Sequence, residues 1–195
     1  MNQLNWNATE VNSLPDEKIV GRIKAENNQE LFSILYSRYH QRVVEKCNSL
    51  LKDKILAVEL SQEIFTKAFE KLDSFRGEAL FSSWLYAITY NHCIEYLRHK
   101  QKMHYPEWNN SHEISEIVDE SEKDFETLKY NRLLQIFDKI HPEEKALLLM
   151  KYQDNLSLKT ILETLQISES AAKMRIKRAK ARVLYLYKIN YEKGY

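Results

Sequence analysis

The sequence predicts an all-α protein, built as two small helical domains joined by an acidic flexible linker. Three observations carry that expectation. Only three glycines and three prolines occur in 195 residues, whereas sheets and their turns consume both. Apolar residues recur at spacings of three and four through most of the chain, the period of a buried helix face. Between Tyr105 and Glu126 the composition becomes acidic, with Glu107, Glu113, Glu116, Asp119, Glu120, Glu122, Asp124 and Glu126 set against Lys123. That stretch has too little apolar surface to offset the entropy of ordering it. The expected division is a first domain over 13–104, a linker over 105–125 and a second domain over 126–190.

Composition narrows the class. A 44 % hydrophobic content is that of a folded protein. The net charge of +1 hides an acidic middle and a basic C-terminal end. Cys47 and Cys93 are too few for a disulfide framework, and each falls within a helical apolar pattern, as a small buried hydrophobe in a reducing compartment would. The N-terminus has no basic segment followed by an apolar run, and nothing approaches a membrane span. A cytoplasmic protein without membrane insertion is the expectation.

In chain order, Ser13-Leu-Pro-Asp16-Glu17 reads as a helix start with acids in the first turn, and Ile19, Val20 and Ile23 form its apolar side. A helix from about Asn28 to Leu51 follows, with Phe32, Leu35, Tyr36, Tyr39, Val43, Cys47 and Leu50 on one face. Asp53 caps the next, where Leu60, Ile64, Ala68 and Leu72 form a stripe that Phe65 and Phe69 widen. Its other faces carry Glu59, Gln62, Glu63 and Glu70, which suit either plain solvation or docking of a basic partner. Asp73–Ala79, with Gly77, breaks the helix. Ser82 or Ser83 then caps an aromatic helix with Trp84, Tyr86, Tyr90 and Tyr96, ending in Arg98, His99, Lys100 and Lys102. Rings interleaved with cations suit stacking on unpaired bases, although a helix C-terminus favours cations in any case.

Beyond the linker, a helix over about Glu126–Ile140 precedes His141-Pro142-Glu143-Glu144, a second helix start. Leu147, Leu148, Met150 and Tyr152 follow. The segment Asn155–Val183 then reads as two helices, Ser157–Leu165 and one capped by Ser168, separated only by Gln166-Ile167. Ala172, Ile176, Ala179 and Val183 make a buried stripe on the second helix. Its remaining faces carry Lys173, Arg175, Lys177, Arg178, Lys180 and Arg182, with no acid after Glu169. A short helix, a tight turn and a basic helix form the pattern of a DNA-binding helix-turn-helix. The cations would displace counterions from phosphates, and those near the helix start would reach base edges.

Enzymatic chemistry finds no foothold. The six histidines lack metal-ligand spacing, and there is no glycine-rich phosphate loop or serine nucleophile elbow. No catalytic residue, metal or cofactor is expected, and nothing in the sequence supports dimerisation.

With the pieces placed, the chain resembles a bacterial RNA polymerase sigma factor of the extracytoplasmic-function (ECF) type over about Asp16–Lys188. Within Ser61–Lys100, Gln62-Glu63, Phe65, Ala68, Leu72, Phe75-Arg76-Gly77, Phe81, Trp84-Leu85-Tyr86, Ile88, Asn91 and Leu97-Arg98 fall in register with the family's second conserved region. The helix-turn-helix resembles its fourth. The resemblance implies a promoter-specificity factor whose partners are core RNA polymerase, promoter DNA in duplex and melted form, and an anti-sigma factor. It implies that Glu59, Gln62, Glu63 and Phe65 dock on the β′ clamp coiled coil. Phe75, Arg76, Trp84, Tyr86, Asn91, Arg98, Lys100 and Lys102 would capture and hold the melted −10 element. Ser170, Lys173, Met174, Arg175, Lys177, Arg178, Lys180 and Arg182 would serve the −35 element. Of these, Lys173, Met174, Lys177 and Arg178 would read bases, and Arg175, Lys180 and Arg182 would hold phosphates. The polymerase β flap would pack on the second domain. Departures from the family pattern are Gln166 for a turn glycine, Leu162 for an alanine, Ser170-Ala171-Ala172 for a Gly-Thr-Val run, and Ala87 and Tyr90 for arginines, leaving fewer cations facing the −10 strand. An ordinary helix-turn-helix regulator with an α-helical sensing domain is the alternative.

Overall fold

The structure is a computed structural model that describes residues 13–26, 28–99, 102 and 130–191, with Tyr130 described in its backbone only. Every regular element among them is helical. The chain divides into two compact units, residues 1–93 and 94–195. The linker expected over 105–125 lies outside the described residues, as do Lys100 and the first turn expected for the helix at 126.

In the first unit, α1 (Asp16–Glu26) carries Asp16 and Glu17 in its first turn and buries Ile19, Val20 and Ile23. The single helix expected from Asn28 is instead a 3-10 turn, Gln29–Leu31, leading into α2 (Phe32–Leu51). The Asn28 side chain accepts from the Glu30 amide at 3.1 Å, and this local bond holds the tighter turn. Helix α2 buries Leu35, Tyr39, Val43, Cys47 and Leu50, and it pairs most extensively with α3 (Lys54–Glu70). Asp53 caps α3 as the sequence indicates, accepting from Ile55 and Leu56. Leu72, expected as the last residue of the α3 stripe, is buried from the following 3-10 turn, Leu72–Ser74.

Helix α4 (Phe81–His99) runs through the division between the units. Ser82 and Ser83, the expected caps, lie within its first turn instead. The Glu17 carboxylate of α1 accepts from the Phe81 amide at 3.0 Å, so a residue 64 positions away satisfies that end of the helix. Lys24 of α1 donates to the Asp73 and Phe75 carbonyls at 3.1 and 2.7 Å. Helix α1 is itself tied to α2, since Arg38 and Tyr39 both donate to Asp16. Burial and the adjacent Asp16 push the Tyr39 hydroxyl well above its ordinary pKa, so it stays protonated as a donor. Cys47 and Cys93 are wholly buried, their sulfurs 3.5 Å apart. The Cys93 thiol is held far above its ordinary pKa by its bond to Cys47 and then by burial.

In the second unit, α5 spans Tyr130–Phe137, α6 Pro142–Leu148, α7 Leu158–Leu165 and α8 Glu169–Tyr191, with a π turn at Leu149–Gln153. Pro142 sits in the first turn of α6, where its missing amide proton costs nothing. The core joins Ile136, Phe137 and Ile140 to Leu148 and to Ala179, Val183 and Tyr187 of α8. Helix α8 is thus a long core helix as well as the second arm of the helix-turn-helix. Ile176, expected in its buried stripe, is only half-buried, and the stripe continues through Leu184 and Tyr187 instead.

Candidate nucleic-acid and polymerase interfaces

The helix-turn-helix is assembled by local bonds. Ser157 caps α7 by accepting from the Thr160 amide at 3.1 Å, and Ser168 accepts from Ala171 at 3.3 Å at the start of α8. Gln166 ends α7 in the left-handed region, φ 54° and ψ 47°, and its amide donates to the Leu162 carbonyl. The residue thus adopts the glycine geometry at the cost of crowding its Cβ. Gln166→Gly should therefore raise the stability of this unit by about 0.5–1 kcal/mol, read as an upward shift in thermal midpoint. An unchanged or lower midpoint would show that the Gln166 side chain compensates.

On α8, Ser170, Lys173, Met174 and Lys177 are exposed, Met174 to 49 %. Their spacing places them on one face over two turns. Lys173 also pairs with Glu169 at 2.6 Å one turn back, and that bond lowers the pKa of the Glu169 carboxyl. Arg178 is half-buried beside this face.

The three residues expected on phosphates point elsewhere. Arg175 Nη1 lies 3.2 Å from Glu143 Oε2. Arg182 Nε lies 3.2 Å from Glu144 Oε2 without the alignment of a hydrogen bond. Lys180 stands 5.0 Å from the Tyr152 ring centroid. Glu143 and Glu144 are 3 % and 0 % exposed, so these arginines supply counter-charge to carboxylates that folding has removed from water. The acids that balance the basic helix come from α6, where the sequence shows only a helix start.

In the first unit, Phe75 is buried, its ring 5.8 Å from Phe81 and 5.5 Å from Trp84. That corrects its expected place against a base, because its ring is taken up inside the protein. Arg76, Gly77, Glu78, Ala79 and Leu80 are all exposed, with Gly77 at φ 72°. Trp84, Tyr86 and Asn91 are half-buried along α4; Arg98 and Lys102 fall in the second unit, where Arg98 is half-buried with Nε 2.5 Å from Glu143 Oε1 and Lys102 is exposed. Tyr90 is wholly buried and presents nothing to a strand. Lys46 of α2 lies 4.3 Å from the Tyr86 ring centroid, with Nζ 3.4 Å from the Tyr90 hydroxyl. A cation therefore reaches this patch from a different helix, stabilised over the ring face.

On α3, Glu59, Gln62 and Glu63 are exposed as expected. Glu63 Oε2 is 2.7 Å from His92 Nε2, while Lys67 Nζ is 2.9 Å from His92 Nδ1. The carboxylate can only accept, so His92 donates to it from Nε2, and the ring is held between an acid and a base of the same helix. Phe65 is buried against Phe32, Tyr36 and His40 and offers no docking surface, which corrects that expectation. Ile55 and Val58, 76 % and 41 % exposed, share the outward face with Glu59 and Gln62. Sequence reasoning passed over both, though their absence from the Leu60–Ile64–Ala68 stripe was the available signal.

Among the described residues no cluster of His, Cys, Asp or Glu could hold a metal ion, and no helix is long and apolar enough to cross a membrane.

Comparison with known proteins bears on both units. The family model for Sigma-70 region 2 matches residues 35–103, and that for Sigma-70, region 4 matches residues 130–183. Together they cover well over half of the chain. The ECF RNA polymerase sigma-E factor of Haemophilus influenzae is 28 % identical over 179 residues, covering 86 % of this chain and 92 % of the relative. ECF RNA polymerase sigma factor SigW of Bacillus subtilis is 28 % identical over 177 residues, covering 84 % and 92 %. In fold, the chain is similar to the sigma factor RpoE of Bartonella quintana, solved with the anti-sigma factor NepR, at a TM-score of 0.55 and 16 % identity over 82 % of this chain and 98 % of that one. CnrH, solved with the cytosolic domain of CnrY, gives a TM-score of 0.57 at 18 % identity over 90 % and 98 %. With both sigma-70 regions present in order and ECF factors aligned along nearly their whole length, the chain belongs to the sigma-70 family as an ECF sigma factor, a promoter-specificity subunit for transcription initiation.

Proposed function

We propose that this sigma factor divides its work among three surfaces, acting by binding and performing no chemistry of its own. The exposed face of α8, Ser170, Lys173, Met174 and Lys177 with Arg178 at its edge, enters the major groove of the −35 element. The exposed residues Arg76–Leu80 and the α4 face with Trp84, Tyr86 and Asn91 hold the melted −10 strand, with Lys46, Arg98, Lys100 and Lys102 supplying cations to it. The outward face of α3, with Ile55, Val58, Glu59, Gln62 and Glu63, docks on the β′ clamp coiled coil. Arg175 and Arg182 set the pose of α8 from behind. An anti-sigma factor and the β flap are further partners, and the site of action is the cytoplasm.

The observation that carries this reading is the sorting of α8 into an outward face of four exposed side chains and an inward face whose arginines meet buried glutamates. One face is thereby left for a groove. The test is transcription in vitro by core polymerase on a promoter library randomised at −35 and −10. Added protein should program defined starts from a subset of sequences. Tight binding to duplex DNA without core, and no programmed starts, would favour an ordinary regulator. Within that assay Lys177→Ala should relax base preference in the −35 element by about 1 kcal/mol, since a base-edge contact carries roughly that much discrimination. An unchanged −35 preference would remove Lys177 from the readers.

A further inference from the structure

The stretch between Phe75 and Phe81 is a short loop whose ends lie close together, with their rings 5.8 Å apart. All five residues between them, Arg76 to Leu80, are exposed, so packing of their own does little to fix their course. Besides this ring contact, α1 holds backbone groups at both ends. Lys24 binds the carbonyls of Asp73 and Phe75 at the entry, and Glu17 binds the Phe81 amide at the exit. The two side chains are seven residues apart, two turns and about 10 Å along one face of a helix. Helix α1 is in turn locked to α2 through Asp16, Arg38 and Tyr39.

From this we infer that α1 is a brace for the loop, and that Glu17 and Lys24 are positioning residues for capture of the melted strand. This rests on the reading of the loop and α4 as the −10 surface. Backbone polar groups at the ends of a loop must find partners, and here both partners come from one rigid element. Removing either bond leaves the aromatic tie of Phe75 with Phe81 and Trp84, so the loop stays attached but its path is no longer defined. Strand capture depends on that path, because groups that bind a splayed base must be held within about 0.5 Å of the productive geometry.

The test uses holoenzyme with core polymerase on a promoter recovered from the randomised library. Glu17→Ala combined with Lys24→Met should lower open-complex formation, read as permanganate reactivity of −10 thymines, on the order of tenfold, since a misplacement of about 1 Å costs up to a hundredfold. Preference among −10 bases should flatten, while core assembly and −35 preference stay unchanged. Glu17→Gln and Lys24→Arg keep an acceptor and a donor, and should restore most of the opening. If the double variant fails to assemble with core, Lys24→Met alone carries the test. An equal loss of core assembly in that variant, or no rescue by the conservative changes, overturns the brace. Arg76→Ala separates the two ideas. Impaired opening in Arg76→Ala with normal opening in the brace variants overturns the brace alone. Normal opening in both overturns the −10 reading of the loop and the brace with it.

Discussion

Arg182→Met should destabilise the C-terminal unit by about 3–5 kcal/mol, the usual cost of taking one partner from a buried ion pair. Glu144 is wholly buried, with Nε of the half-buried Arg182 3.2 Å from its carboxylate, and the substitution takes that cation away from a charge that water does not reach. The companion double variant, Glu144→Met with Arg182→Met, should recover most of the loss, because replacing both members of such a pair with apolar side chains is often neutral or stabilising. Denaturant unfolding of the single and double variants measures the difference as a cycle. The result decides what the arginine is for. A phosphate contact would leave unfolding unchanged in the single variant and would instead lower the salt dependence of promoter binding by about one counterion.

Ile55→Asp together with Val58→Asp should weaken assembly with core polymerase by at least about 2 kcal/mol, roughly thirtyfold, as expected for apolar anchors at the centre of an interface. Ile55 and Val58 are exposed in the free protein, so the changes bury no charge within it and the melting temperature should hold. Glu63→Lys on the same helix should act in the same direction, with part of its effect arising from loss of the Glu63–His92 bond. Titration of labelled core polymerase reads both. Undiminished assembly in the Ile55/Val58 variant would move the docking surface off this face of α3.

The positions of most helices could be read from the sequence because their signals are short-ranged. Apolar spacing located α2 and α3, and the caps at Asp53 and Ser168 are bonds to residues only two or three positions away. The break at Gln166-Ile167 was legible for the same reason, whereas the strain at Gln166 was signalled only by the family resemblance, which expects a glycine there. Hidden from a local reading were the contacts that pair polar groups across the fold. Glu17 looked like an acid placed for the helix dipole, yet it satisfies an amide 64 residues on. Glu143 and Glu144 looked like first-turn acids, yet both are buried counter-charges for α8. The aromatic helix gave the weakest guidance. Apolar and aromatic residues surround α4 on most sides, and periodicity then does not say that Tyr90 lies inside while Trp84 and Tyr86 reach the surface.

The two sulfurs enclosed between α2 and α4 make the N-terminal unit self-reporting. Neither thiol meets solvent, and that of Cys93 is held protonated, so an alkylating reagent reacts only when the core around them opens. The rate of labelling is then a clock for that opening. Read with and without polymerase or promoter, it tells how far each partner stiffens the unit, with no probe added to the protein.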